Sequence, residues 1–234
     1  MPYGTTPPRT LAAELMDAPG LDPGEHAHAL RGLGRLNAAS HADRPIWLAM
    51  RGYSRGVAPL RVLDVATGGG DVPARLQVRA KRAGPAIDWH LCDVSPCALD
   101  VAKARLASVG AAAQCFVHDI VKAPPPGRYD VVLCSLFLHH LSWEDATAAV
   151  RHMAGVANHL IISDLRRTGY GVALAALASR ALSRSPIVHT DAVRSAHAAW
   201  TIGEASAIAQ AAGLPGAHIR RVWPSRWILV WGRQ

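Results

Sequence analysis

The stretch Val62-Leu63-Asp64-Val65-Ala66-Thr67-Gly68-Gly69-Gly70-Asp71-Val72-Pro73 runs from apolar residues straight into three consecutive glycines and on into a helix-compatible segment. Its first part, apolar and rich in valine, predicts a buried strand. Glycines directly after a strand let the backbone turn sharply and approach a ligand with no Cβ in the way. Strand, glycine turn and helix in this order open the ligand-binding edge of a doubly wound α/β sheet. A dinucleotide fold would add a third glycine, packing helix on strand, in the spacing G-x-G-x-x-G. Here Gly68 and Gly70 take the first two places and Pro73 stands in the third, which argues against a nicotinamide dinucleotide.

Outward from this turn, apolar runs alternate with helical stretches, as in a mainly parallel sheet. Strands are expected at 61–66, 87–93, 114–118, 129–134 and 159–163, with helices at 72–83, 96–108 and 143–155 between them. Ser95-Pro96 reads as an N-cap followed by proline at the first helical position, and Gly110 ends that helix. Ser142-x-x-Asp145 and Thr201-x-x-Glu204 read as capping boxes. After residue 200 a helix leads to two final strands, 217–223 and 226–231, that should pair antiparallel. Before the glycine turn, residues 11–16 hold a short helical pattern and residues 25–56 a longer amphipathic one. The expected architecture is an α/β, Rossmann-like, doubly wound seven-stranded sheet, mostly parallel with an antiparallel last strand. An N-terminal helical cap (1–56) precedes the main domain (57–234). An insertion at about 169–199, after the fifth strand, lies at the carboxyl edge of the sheet and is expected to act as a lid.

Composition narrows the function. Half of the 234 residues are hydrophobic, enough for a sizeable core. No run approaches the roughly 20 apolar residues of a membrane helix. Met1 to Arg9 lacks the basic start and apolar run of a secretory signal, so a cytoplasmic location is expected. Cys92, Cys97, Cys115 and Cys134 form no CxxC pair and read as small buried hydrophobes. The twelve histidines form no HExxH pattern, and no metal is expected. The net charge of +8 fits either a phosphate-binding face or a generally basic composition. Arginines run through the whole chain without a dense block, so nucleic acid is not the expected partner.

The glycine turn resembles the first motif of class I S-adenosylmethionine-dependent methyltransferases, D/E-x-G-x-G-x-G, with Asp64, Gly68 and Gly70 in place and Ala66 at the first glycine. The resemblance runs from about residue 60 to the end. It implies S-adenosylmethionine as cofactor, with S-adenosylhomocysteine as product. Asp64, Ala66, Thr67, Gly68, Gly70 and Asp71 would then lie at its methionine part and ribose. Asp93, with Val94, ends the second strand about where an acidic residue meets ribose hydroxyls, and a carboxylate can accept both. The plainer reading of Asp93 is a partner for a helix N-terminus. By the same resemblance Asp119 would accept from the adenine amino group and Ile120 would present its backbone N–H; otherwise Asp119 is an ordinary loop aspartate. Ser135, closing the fourth strand, joins the cofactor set.

That strand runs on through Leu136-Phe137-Leu138-His139-His140-Leu141 and lacks the Asn/Asp-Pro-Pro-aromatic tetrapeptide of amino-directed nucleic-acid enzymes. It looks instead like methyltransferases of small molecules, the ubiquinone/menaquinone-biosynthesis type and those of phenolic polyketides among them. The implied acceptor is a phenol, quinone precursor or polyketide. A hydroxyl acceptor needs a base, and His139 or His140 could serve, unless both simply pack the strand end. Arg166, and in the insertion His189, Asp191 and Arg194, are candidate acceptor contacts or solvated charges. On a helix Asp191, Arg194 and Ser195 would share a face, whereas His189 and Arg194 would not. Leu15, Met16, Leu30, Leu33 and Leu36 are read either as closing over the acceptor or as plain core. An RNA methyltransferase and a non-catalytic cofactor-binding regulatory protein are the alternatives. Nothing in the sequence indicates the oligomeric state.

Overall fold

The computed structural model describes residues 6–17, 20–53 and 58–233. Seven strands form one sheet: β1 (Leu60–Val65), β2 (Ile87–Asp93), β3 (Ala113–Val117), β4 (Tyr129–Ser135), β5 (Ala157–Leu165), β6 (His218–Val222) and β7 (Arg226–Gly232). Their order is β3-β2-β1-β4-β5-β7-β6. The first five are parallel, and β7 runs antiparallel between β5 and β6. The order reverses between β1 and β4, and the crevice above their carboxyl ends is where such sheets bind ligands.

Alternate residues of each strand feed two cores. Leu60 and Val62 of β1, with Val131 and Leu133 of β4, join the side covered by α2 (Asp43–Met50), α3 (Asp71–Ala83) and α4 (Pro96–Ser108). Leu63 and Val65, with Val132 and Cys134, join the side covered by α5 (Trp143–Val156) and α8 (Ile202–Ala211). Each large apolar side chain so buried contributes about 1.5–3 kcal/mol. The caps read from sequence are in place. The Ser95 hydroxyl accepts from Ala98 N, and Thr201 and Glu204 form the reciprocal box. Ser142 caps through Asp145 N, but its hydroxyl donates to the Asp145 carboxylate instead of completing a box.

The N-terminal region departs from expectation. The 25–56 pattern splits into α1 (Pro23–Ala39) and α2 around His41, whose φ of 48° no helix accommodates. Only α1 lies over the sheet edge. Ile46, Trp47 and Met50 of α2 are buried in the sheet's own core, and Asp43 is fixed by Arg75 at 2.7 Å and by Arg79. The 11–16 pattern yields a single 3-10 turn, Leu15–Asp17. The boundary expected at 56/57 lies outside the described residues. The insertion is a helix pair, α6 (Gly169–Leu182) and α7 (Pro186–Ala198), packed on each other and on α1. Strand β5 is longer than its central apolar run because Ala157 pairs with Tyr129 of β4 and β7 pairs with it from His159 to Leu165. Of the cysteines, Cys92 and Cys134 are buried; Cys115 is half-buried and Cys97 exposed on the first turn of α4, so the buried-hydrophobe reading fails for Cys97.

Candidate active site

The glycine turn is built as its sequence requires. Ala66, Gly68 and Gly70 have φ of 51°, 52° and 66°, the left-handed region that glycine enters freely. A Cβ on Gly70 would meet Ala102 Cβ at 2.7 Å, so this glycine lets α3 start directly against α4. Gly70 thus packs where the sequence suggested cofactor contact. A Cβ on Gly68 would meet nothing within 4 Å and would point into open space beside the turn. The Asp93 carboxylate accepts from Gly68 N at 2.8 Å and from Ser95 N at 2.9 Å, tying the turn to the end of β2. Beneath it Asp64 is 1% exposed, and its Oδ1, like Thr67 Oγ1, has no hydrogen-bond partner among the described residues. Burial, reinforced by the nearby Asp71 and Asp93 carboxylates, pushes the Asp64 carboxyl up to about 7. Asp64 lies beneath the turn and does not line the cavity that opens above it.

Above the turn lies a cavity of about 760 Å³. Its floor is the carboxyl edge of the sheet, including Ala66, Thr67, Gly68, Asp71, Asp93, Val94, Asp119, Ile120 and Ser135. Its roof is apolar: Leu30, Leu33 and Leu36 of α1, Leu174 and Ala178 of α6, and Ala196 of α7. Asp119 accepts from Val121 N at 3.0 Å and pairs with Lys122 at 3.1 Å; these contacts outweigh burial and hold its carboxyl below the usual range.

At the β4 end, both His139 and His140 line the cavity. His139 Nδ1 lies 2.6 Å from Asp164 Oδ1, and its backbone N donates to Asp164 Oδ2 at 3.0 Å. Its Nε2 is 3.7 Å from Glu14 Oε1, and His140 Nε2 is 3.8 Å from the same oxygen. Burial works against charge on His139, but Asp164 and Glu14 outweigh it and push the imidazole up to about 9. Burial, with the His139 cation beside it, pushes His140 down to about 4. The two carboxylates thus favour charge on His139, and that charge with burial favours the neutral form of His140. Environments that drive two adjacent groups apart in this way divide acid from base.

Glu14 reaches the cluster because the N-terminal segment is pinned across it. Asp191 accepts from Leu15 N at 2.8 Å and Met16 N at 3.0 Å, Arg194 donates to Ala13 O at 2.6 Å, and the Ser195 hydroxyl donates to Glu14. The Arg9 guanidinium stacks 3.4 Å over Trp200 and donates to the carbonyls of Leu141 at 2.8 Å and Ala198 at 2.7 Å. Asp191 and Arg194, expected as acceptor contacts, instead hold this segment and are absent from the cavity wall; His189 bonds Ser183 O at 2.8 Å and is absent from it too. Arg166 does line the cavity, bonded to the Tyr170 hydroxyl. Met16, Leu30, Leu33 and Leu36 line it as well, while Leu15 is exposed. Sequence reasoning missed Glu14, Arg226 and Asn37. Arg226, buried in the cavity wall, donates to Asn37 Oδ1 at 3.1 Å and Ser40 Oγ at 2.9 Å. No motif marks these three; only the lone acidic residue in the apolar stretch Leu11–Met16 hinted at Glu14.

In this geometry Asp93 shapes the turn and keeps lone pairs at the cavity floor. Asp93→Ala should therefore weaken cofactor binding by about tenfold or more and also cost about 1–3 kcal/mol of stability, because two backbone N–H groups lose their acceptor. Titration calorimetry and urea denaturation read the two effects separately. Unchanged affinity would remove Asp93 from the ligand site.

Sheet order, glycine turn and strand-end aspartates define the class I S-adenosylmethionine-dependent methyltransferase fold. Residues 62–159 match the family described as Methyltransferase domain. The chain resembles small-molecule methyltransferases. It is 31% identical over 125 residues to the ubiquinone/menaquinone biosynthesis C-methyltransferase UbiE of Bordetella avium (strain 197N), covering 52% of this chain and 48% of that one. The chain thus spans about half the length of the relatives it matches. Among solved structures, the O-methyltransferase NcsB1 from neocarzinostatin biosynthesis, in complex with S-adenosylhomocysteine and 1,4-dihydroxy-2-naphthoic acid, aligns with TM-score 0.64 at 16% identity, over 94% of this chain and 62% of that one. Magnesium protoporphyrin IX methyltransferase of Synechocystis PCC 6803, with bound S-adenosylhomocysteine, aligns with TM-score 0.57 at 18% identity, over 94% and 91%. No helix among the described residues is long and apolar enough to cross a membrane.

Proposed function

We propose that this chain is a cytoplasmic S-adenosylmethionine-dependent methyltransferase whose acceptor is a small hydroxylated, largely apolar molecule such as a phenol, quinone precursor or polyketide. The observation that carries the reading is one continuous cavity joining the glycine turn to the His139–His140 pair under an apolar roof. The residues at the turn fit the cofactor. Asp93 keeps free lone pairs at the cavity floor, and Val94 and Ile120 offer apolar surface beside Asp119. When bound, the cofactor supplies an electrophilic methyl group.

The chain's own contribution is alignment and proton removal. Methyl transfer from a sulfonium is an in-line displacement, so holding the acceptor in line supplies most of the acceleration. His140, neutral at physiological pH, takes the acceptor's hydroxyl proton. His139, cationic between Asp164 and Glu14, stabilises the oxyanion that remains. The helices over the cavity exclude water.

Release of S-adenosylhomocysteine across a panel of phenols, quinols and RNA tests the reading. Turnover is expected with at least one phenol or quinol and not with RNA. Cofactor binding without turnover on any acceptor would leave a regulatory protein.

A further inference from the structure

Helix α6 carries no charged residue before Arg180, yet much of it faces outward. Tyr170, Leu174 and Leu177 stand at i, i+4 and i+7, one stripe of the helix, and are 54%, 39% and 70% exposed. At the start of the stripe sits Trp223, 75% exposed in the turn between β6 and β7. The Tyr170 hydroxyl donates to Pro224 O at 3.2 Å, which joins helix and turn into one apolar surface. Leu174 and Trp223 also line the cavity, so this surface rims its opening.

The rim is basic. Residues 165–190 include no acidic residue and none follows Glu204; of the four arginines in that stretch Arg167 is buried and paired with Glu204, which leaves Arg166, Arg180 and Arg184. Arg180 and Arg184 are exposed at the end of α6, and Arg220 and Arg221 just before Trp223. From α1, Arg35 reaches the Leu182 carbonyl at 2.7 Å. The acidic groups on the packed elements lie elsewhere. Asp22 and Glu25 are at the far end of α1, Glu25 about 15 Å from Arg35 along the helix. Asp191 of α7 is buried, its carboxylate taken by Leu15 and Met16.

We propose that the face formed by α6 and the Trp223 turn docks on an anionic bilayer surface and presents the cavity opening to acceptors dissolved there. Tyrosine and tryptophan favour the headgroup level, leucines the acyl boundary, and flanking arginines the lipid phosphates. A second copy of the chain fits less well, because a two-fold contact would bring the basic rim against itself. RNA would meet the arginines but offers no apolar phase for Leu177. The inference rests on the methyl-transfer reading only for what enters the cavity; docking is measured without turnover.

Co-sedimentation of the full chain with phosphatidylglycerol–phosphatidylcholine vesicles, and with phosphatidylcholine alone, tests it. Partition onto the anionic vesicles should be stronger by about tenfold or more, and weaker in high salt. Leu177→Glu should reduce it by about tenfold or more with melting temperature and cofactor affinity unchanged, since Leu177 does not line the cavity. The double replacement Arg180→Gln, Arg184→Gln should cut binding to anionic vesicles alone. No partition, or partition indifferent to Leu177→Glu, overturns the proposal. So does binding of single-stranded RNA in place of vesicles, or a dimer in sedimentation velocity that Leu177→Glu disperses without any vesicle binding. If S-adenosylhomocysteine release stands while vesicle binding fails, only the docking proposal falls.

Discussion

Replacing His140 by alanine should lower turnover by roughly 10²–10⁴, the usual share of a general base, while cofactor affinity barely changes. His140 stands beyond the glycine turn and the strand-end aspartates, so it does not belong to the groups expected to hold the cofactor. The pH profile makes the test sharper. A histidine titrating near 6.5 would lose activity on acidification from neutrality, whereas His140 is pushed down to about 4 and should keep its lone pair well below pH 6. His139→Gln removes the neighbouring cation, one of the two causes of that depression, and should shift the acid limb toward neutrality. The alanine defect should also shrink as pH approaches about 10, where a phenol ionises unaided. Near-full activity of His140→Ala at pH 7 would reduce the pair to a structural role.

Gly70→Val should destabilise the fold by about 2–5 kcal/mol, combining a left-handed backbone cost of about 1–2 kcal/mol with an overpacking cost of about 1–3 kcal/mol. The new Cβ would lie 2.7 Å from Ala102 Cβ and 2.8 Å from its Cα, and a helix backbone cannot yield as a flexible side chain can. Gly68→Ala provides the contrast. It carries only the backbone cost, as Ala66 already does at φ 51°, and its methyl group points into open space beside the turn. Its effect should appear in cofactor affinity more than in stability. Urea denaturation of both variants decides the matter; equal stability would mean that α3 and α4 do not depend on Gly70 for their approach.

The sheet was legible because buried parallel strands are written as apolar runs and their helices as capped, amphipathic stretches between them. Both kinds of signal are local. The glycine turn and Asp93 were legible for the same reason, each sitting at a strand end within one supersecondary unit. The acceptor side was less so. His139 could be found, but not that it ends as a cation, because its partners Glu14 and Asp164 lie far away in the chain. Asp191 and Arg194 share a helix face as their spacing implied, yet that face binds the N-terminal segment. Spacing reports which side chains point together and is silent on what they meet. The break at His41 escaped notice because an amphipathic pattern continues through it, and the packing of Ile46 and Trp47 on the sheet decides where the second helix lies.

The two bonds that Asp93 accepts carry a thermodynamic consequence. A carboxylate already oriented by Gly68 N and Ser95 N loses little rotamer freedom when a ligand arrives, which spares about 0.5–1.5 kcal/mol of ordering cost per side chain so fixed. The cofactor half of the cavity is therefore preorganised. The rest of the cavity is bounded by α1, the α6–α7 pair and the Glu14 segment, which side-chain hydrogen bonds tie to α7. Binding enthalpy and entropy should divide accordingly, with a nearly rigid association at the turn and an adaptive one under the helices.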